Sequence, residues 1–487
     1  MAVKIAVITD LHFSRAENAL TERHGEFADT LLLRTIHRLN RFIKPDLVFI
    51  GGDLLNESNS PDAEDLLQKL KKQLDLLTMK TIIIPGNHDP APEIFYRIFD
   101  LPAEYTDING CRFVAFCDPA EPGFNARREL CDLNRMRAAG TGFSGPLVSL
   151  QHVPLCPPES GACPYNYTNA AEIIRLMRES SYCLALSGHY HAGFQLTNQN
   201  GMSFIAGKAL CEQPFNYSII EITTDGTVSI EQESLRLPEK YTISDCHVHT
   251  SFAYCNENMD IAKSIRLGEI FGLENMIFSE HSAHLYFNHQ DYAAKKFYTD
   301  GIDSPALTDR TEEYFNLYRT HATNCCRLGM EIDVDFRGRP VILRSAWNQL
   351  DVKLGAVHFM SALMTPERNL TAIEQEFLFL TESIAKSGID ILAHPFRIFR
   401  RNGLPLPENL FQPIAKILKT HKVAAEINFH TNEPSPEFIR ICIEHGVKLS
   451  FGSDSHNLYE VGEFYPHLKL LEQTVPGFAL RDLTIKI

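Results

Sequence analysis

At 487 residues, with 44% hydrophobic and 22% charged side chains, the chain is long enough for two or three separately cored domains and too apolar to be disordered. Its 61 acidic and 46 basic residues leave a net charge of −15, shared by both halves; this weighs against long nucleic acid and suits a small anion held through metal cations. No apolar run reaches bilayer length, and MAVKIAVITD lacks the length and cleavage site of an export signal, so a cytoplasmic chain without membrane association is expected.

In chain order, the β-branched run 3–9 (VKIAVIT) predicts a buried strand ending at Asp10-Leu11-His12. A helix over about 25–43 leads to the strand DLVFIGGD, which ends at Asp53. A second helix, about 62–77, leads to TIIIPGNHD with Asn87, His88 and Asp89. Short strands follow at about 112–117 and 146–151, the second ending at His152. A helix near 169–180 precedes YCLALSGH, and Gly188-His189-Tyr190-His191 closes that strand. The runs MSFIAG, YSIIEIT and TVSIEQESL, with Asp225-Gly226 between the last two, predict antiparallel strands and a hairpin at a sheet edge. RLPEKY (236–241) reads as a linker between domains of residues 1–235 and 242–487.

The second half opens on 241–244 (YTIS), read as a strand leading into His247 and His249. Strand-then-helix units then recur at ENMIFSEH, CRLGMEIDV, VKLGAVHF, IDILAHP, VAAEINF and VKLSFGSDSH. About seven such units point to a parallel barrel with its ligands at the carboxyl ends of the strands. The polar and aromatic stretch 283–325 interrupts them and reads as a lid or cap. The cysteines fall in odd numbers in each half, which suits reduced thiols, and Cys325-Cys326 reads as a small apolar pair in a helix.

Asp10, His12, Asp53, Asn87, His152, His189 and His191 all fall where a buried strand stops. Their oxygen and nitrogen donors suit zinc, manganese or iron. A bridging carboxylate among them would hold two metals about 3.5–4 Å apart. Glycines before Asp53, Asn87 and His189 permit tight turns. With these motifs, residues 1 to about 235 resemble a calcineurin-like metallophosphoesterase. The tail through PFNYSIIEITTDGTVSI is similar to the class III cyclic-nucleotide phosphodiesterase branch. The resemblance implies an αββα sandwich, with Asp10, His12 and His191 on one metal and Asn87, His152 and His189 on a second. Asp53 would bridge, and His88 would stand beside the scissile phosphate as an acid or charge stabiliser.

The second set, His247, His249, His281, Glu331, His358, His394, Asp454 and His456, offers more donors than two tetrahedral metals need. Residues 242–487 resemble the polymerase and histidinol phosphatase (PHP) family, and Glu280-His281 and GSDSH are most similar to its histidinol-phosphate-phosphatase-like branch. That resemblance implies a distorted (βα)7 barrel in which His247, His249, Glu331 and Asp454 hold one metal. Glu331 would bridge to a site with His358 and His394, while His281 and His456 would hold a third. Cys255 stands where many members carry a histidine; whether it is a ligand or a bystander stays open, and with it whether this half holds two metals or three. Arg397, Arg400 and Arg401 are candidates for gripping a substrate phosphate. Asp89, Asp245, Glu280 and His284 read as supporting neighbours.

The expected protein is an α/β bifunctional metal-dependent phosphoester hydrolase. A phosphodiesterase with two divalent metals (manganese, iron or zinc) would precede a phosphomonoesterase, with Asp53, His88 and Asp454 catalytic. Its substrate would be a small phosphorylated metabolite, a nucleotide foremost. A nuclease acting on DNA or RNA ends, or one half serving as an inactive scaffold, are the alternatives; composition leaves the oligomeric state open.

Overall fold

Ile5 and Val7 point one way along β1 (Val3–Ile8), Ala6 and Ile8 the other, and all four are buried, so this strand needs protein on both faces. The computed structural model supplies it; residues 2–16, 22–197, 201–366 and 368–487 are described. The chain divides into two compact units, Met1–Arg236 and Leu237–Ile487.

In the first unit β1 is followed by β2 (Leu47–Ile50), β3 (Lys80–Ile83), β4 (Thr106–Ile108), β5 (Cys111–Ala115) and the short hairpin β6 (Ala120–Glu121) and β7 (Asn125–Ala126). Then come β8 (Leu147–Leu150), β9 (Tyr182–Ser187), β10 (Phe194–Thr197), β11 (Ser203–Ala206), β12 (Asn216–Ile222) and β13 (Val228–Ser234). Two sheets result, ordered β13-β12-β1-β2-β3 and β10-β11-β9-β8-β5-β4. Val7, Phe49, Phe113, Leu150, Leu186 and Ile220, drawn from both, share one buried cluster, so the sheets pack face to face. Helices Leu130–Gly140 and Ala170–Glu179 bury Leu133, Met136, Ile173 and Met177 over the second sheet.

One expectation needs correcting. β12 and β13 form the hairpin around Asp225-Gly226, but β11 belongs to the other sheet, parallel to β9 and antiparallel to β10. All four of its residues are buried, so it has no polar alternation from which a partner's direction could be read.

The second unit carries β14 (Asp245–Val248), β15 (Met276–His281), β16 (Cys326–Asp333), β17 (Val352–Ala356), β18 (Ile391–Leu392), β19 (Ala424–Asn428) and β20 (Leu449–Gly452). They form one parallel sheet in chain order. It nearly closes on itself: the Asp454 N–H donates to the His247 carbonyl at 2.7 Å, and Val248 bridges Ser455. Cys246, Ile277, Leu354, Ile391 and Ala424, from five different strands, share one small cluster, which requires that curvature. A far larger cluster, with Phe377, Ile384, Phe411 and Leu418 from two long helices, covers the outside.

Here too the structure departs from the sequence reading. Residues 241–244 (YTIS) are not a strand; β14 begins at Asp245, whose carboxylate accepts from the main-chain N–H groups of His247, Ser453 and Gly462 and so ties the two ends of the sheet together. Stretch 283–325 is largely helical, and Tyr286, Phe287, Phe297, Tyr298, Tyr314 and Phe315 are core residues, so most of it is packed wall. Cys326 opens β16 and Cys325 precedes it, so that pair is not helical. Every cysteine is free. No helix among the described residues is long and apolar enough to cross a membrane.

Gly452 shows how tightly the barrel's end is built. A Cβ there would lie 1.8 Å from Glu426 Oε1 and 2.8 Å from His247 Cβ. Gly452→Ala is therefore expected to lower stability by about 1–3 kcal/mol through overpacking, read as a lower urea midpoint. An unchanged midpoint would show that this contact relaxes freely.

Candidate metal centres

In the first unit the turns after β1, β2, β3, β8 and β9 converge. Asp10, His12, Asp53 and His189 all have left-handed backbones, with φ of +56°, +46°, +54° and +66°. Such conformations cost roughly 1–3 kcal/mol each outside glycine and persist where the surroundings over-determine them. Their effect is to aim short side chains inward from strand ends.

His12 Nε2 and His191 Nε2 face each other at 3.0 Å, with Asp10 Oδ1 3.8 Å from the latter. Asp53 lies between two groups: Oδ2 is 3.6 Å from His12 Nε2, and Oδ1 is 3.5 Å from His152 Nε2. His152 Nε2 is also 3.0 Å from Asn87 Oδ1, and Asp53, His152 and His189 bring their donor atoms within 4.8 Å of one another. Outer ring nitrogens are anchored elsewhere: His152 Nδ1 on the Gly51 carbonyl (2.7 Å), His189 Nε2 on the Phe124 carbonyl (3.1 Å) and His191 Nδ1 on Glu212 (2.5 Å). Each anchor fixes a tautomer whose lone pair faces the shared space. His88 belongs to the same group; its Nδ1 is held by the Asn56 carbonyl at 2.7 Å and its main-chain N–H by Asp53 Oδ1 at 2.8 Å. Asp89 accepts from Gly86, Leu54 and Leu55 N–H groups, fixing the two turns that present Asp53 and Asn87. Burial and the Asp53 carboxylate push Asp89 up to about 7.

In the second unit Glu331 is the hub. Its Oε1 lies 3.1 Å from His358 Nε2 and 2.5 Å from His394 Nε2; its Oε2 lies 2.6, 3.5 and 3.7 Å from His281 Nδ1, His247 Nε2 and His249 Nε2. Asp454 approaches His249 Nε2 at 3.0 Å and His247 Nε2 at 3.6 Å, and His456 stacks near His249 with ring centroids 4.4 Å apart. His394 (φ +29°) and Asp454 (φ +53°) are again left-handed. Arg397 is buried in the middle: it pairs with Asp454, and its Nη2 sits 3.2 Å from His358 Nε2 and 2.7 Å from His394 Nε2. A cation therefore already stands where these lone pairs converge. Arg400 and Arg401 are exposed; Arg400 faces Glu433 at 3.9 Å, and the charge of Arg401 reaches Tyr292, which packs against His284. Cys255 Sγ lies 3.7 Å from His281 Nε2, but desolvation and the carboxylates of Glu280 and Asp454 push its thiol up to about 12, so a thiolate there needs a cation. Glu280 instead accepts from Thr250 and the His281 N–H, and His284 packs on His281 at 4.3 Å.

The donor sets fit divalent metals. Buried His247 Nε2, facing Glu331 and Asp454, has no hydrogen-bond partner among the described residues, an arrangement that is costly without something to bind. Electrostatics agree: burial opposes charging of His152, His249 and His358, yet the adjacent carboxylates hold each at about 9. Burial and neighbouring imidazoles press His189 down to about 4 and His456 to about 2. Carboxylates this crowded demand positive charge, and metal ions supply it without protonating the ligands.

Several contributors escape a reading of motifs. Glu212 holds His191, and Asp333 holds His358 Nδ1 at 2.8 Å. Glu426 holds His247 Nδ1 at 2.8 Å and accepts from the His394 N–H. Asn428 donates to Asp454 Oδ2 at 3.1 Å, and His430, anchored by Glu460, stacks on His456. The visible signal was a carboxylate inside the otherwise apolar run VAAEINF. Glu212→Gln, which keeps the shape but weakens the grip on His191, is expected to reduce metal affinity in the first unit about 10- to 100-fold in a chelator competition. Unaltered affinity would show that Glu212 does not orient the ring.

Residues 3–193 match the family model described as calcineurin-like phosphoesterase. They form a calcineurin-like phosphoesterase domain. Metal-dependent phosphoester hydrolysis and divalent metals go with that family, and the converging Asp, Asn and His donors of the first unit lie within its bounds. A Coxiella burnetii protein described as a probable cyclic nucleotide phosphodiesterase is 34% identical over 87 residues, covering 18% of this chain and 32% of the relative. Probable phosphatases of Caldicellulosiruptor saccharolyticus and Shewanella loihica are 27% and 28% identical over 147 and 149 residues, 29% of this chain in each case. The chain thus spans between 32% and 56% of the length of the curated relatives it matches. Among solved structures, a dimetal phosphatase from Danio rerio aligns with 15% identity and a TM-score of 0.39, over 48% of this chain and 98% of that one.

Proposed function

We propose that the chain is a bifunctional metal-dependent phosphoester hydrolase: a phosphodiesterase in the first unit and a PHP-type phosphomonoesterase in the second, acting in the cytoplasm on a small phosphorylated metabolite, a nucleotide foremost. One observation carries this reading. Asp53 and Glu331 are each buried carboxylates shared between two groups of imidazoles, the arrangement that a bridged metal pair needs. Asp10, His12 and His191 would hold one metal of the first unit and Asn87, His152 and His189 the other. In the second unit His247, His249, Glu331 and Asp454 would form one site and His358 and His394 its neighbour, with His281, His456 and Cys255 available for a third.

Bound metals supply Lewis acidity and neutralise charge on the phosphoryl oxygens. The chain's own residues do the rest. His88 has its Nδ1 proton fixed on the Asn56 carbonyl, which leaves Nε2 for the leaving-group oxygen; a charged ring donates its proton there. Arg397 brings a buried guanidinium to the second set and is the group best placed to hold a dianionic monoester.

The test is a time course with a diester found by screening nucleotides, cyclic nucleotides and sugar phosphates in manganese. The expected result is inorganic phosphate from the wild type and arrest at the monoester with Asp454→Asn. If Asp454→Asn and the wild type give identical products, the second unit is not the phosphatase.

A further inference from the structure

Beside the first metal centre lies a cavity of about 670 Å³, within the range of small-molecule sites. It shares Asn87, His152 and His189 with the proposed second metal site, so whatever occupies it adjoins the reacting phosphate. Much of its lining is apolar and aromatic, with Phe116, Val153, Tyr167, Pro85, Pro90 and Pro92. The β6–β7 hairpin forms one side, and in its turn Phe124 is left 64% exposed while its carbonyl anchors His189.

Charge narrows the occupant. Among the described residues no lysine or arginine lines the cavity, whereas Asp89, Asp118 and Glu121 do. The buried Arg128 lies behind Phe116 and is matched by Asp118 at 2.8 Å. A second phosphate would find no lysine or arginine in this lining and would face the Glu121 carboxylate, while a flat uncharged ring would meet apolar walls. We infer that this cavity receives the esterifying organic group of a singly charged phosphodiester, that this group is aromatic and uncharged, and that substrates carrying a further phosphate on that group are rejected. The inference rests on the reading of the first unit as a phosphodiesterase and adds its substrate class.

Three ligands separate the possibilities: dimethyl phosphate, methyl phenyl phosphate and methyl 2-phosphoethyl phosphate. Their inhibition constants are measured on the full manganese-loaded chain against bis-p-nitrophenyl phosphate. Methyl phenyl phosphate is expected to bind at least about 10-fold more tightly than dimethyl phosphate, since burying a ring removes a large apolar area from water. The 2-phosphoethyl ester should bind more weakly than either. Ala120→Trp, at an exposed position lining the cavity, should cut the phenyl preference to below about 3-fold while bound metal stays at the wild-type level. Ala91→Trp, exposed on another side of the same cavity, is the second variant should the first misfold. Equal affinity for the methyl and phenyl esters, tighter binding of the doubly charged ester, or a preference that survives both variants would each overturn the inference. If no diester is hydrolysed, the phosphodiesterase reading fails on its own, and direct titration calorimetry of dimethyl phosphate against methyl phenyl phosphate still decides the occupant.

Discussion

Glu331→Gln is expected to lower phosphomonoester hydrolysis by at least about 1,000-fold, equivalent to about 4 kcal/mol of barrier. The carboxylate is fully buried and faces five imidazoles, so it has no role in solvation or surface charge. Glutamine has the same shape and volume, which separates loss of charge from loss of packing. It removes the negative charge that two cations would share, and it turns an N–H₂ group toward one set of ligands, where the proposed metal would sit. Metal analysis should show fewer ions in the variant, and calorimetry should show a folded protein. A variant that keeps monoesterase activity within about 10-fold of the wild type would remove Glu331 from the centre, and with it the bridged-site reading of the second unit.

Asp53→Asn should have a comparable effect on diester hydrolysis, again about 1,000-fold or more, and should leave monoester hydrolysis within about 2-fold. The first expectation follows from the position of Asp53, between His12 on one oxygen and His152 on the other. Its charge is well supported: burial opposes it, but His152 beside it holds the carboxyl far below the ordinary range. Asparagine would give up both the charge and one of the two acceptor oxygens. The second expectation follows because every donor around Glu331 belongs to residues 247–456, and every donor around Asp53 to residues 10–191. Both activities are assayed in the same preparation. Loss of both from a folded Asp53→Asn protein would end the two-site proposal.

How far the sequence spoke depends on the kind of residue. Asp10, His12, Asp53, Asn87, His152, His189 and His191 were legible because each ends an apolar run, and the structure gathers all of them. Six of the seven parallel strands of the second unit were legible for the same reason, whereas the first was placed one segment early, at residues 241–244, because Asp245, Cys246 and His247 do not read as a strand. Glu212, Asp333 and Glu426 were not: they touch imidazoles far away in sequence, and no spacing rule connects Glu426 to His247. The direction of β11 was hidden because a wholly buried strand looks alike from either side. Arg400 and Arg401 looked equivalent to Arg397 in a run of basic residues, yet one short helix, Arg397–Arg401, turns the first inward and leaves the others exposed. The cavity beside the first centre had no signature of its own: of its lining, Asn87, Asp89, His152 and His189 were singled out, and only as metal ligands or their neighbours.

The six left-handed residues at the two centres also bear on how such a chain would change over generations. Asp10, His12, Asp53, His189, His394 and Asp454 each occupy a conformation that glycine or asparagine adopts at lower cost. Substitution to either would relieve local backbone tension while removing a metal-binding group, with a gain in thermal tolerance wherever that relief exceeds the cost of the lost hydrogen bonds. Retaining aspartate and histidine at all six is therefore a standing stability cost that only catalytic selection opposes. A lineage released from that selection in one half would drift toward glycine and asparagine at that half's positions and grow hardier as it lost activity, so a decayed copy would be recognisable by those substitutions before any larger remodelling.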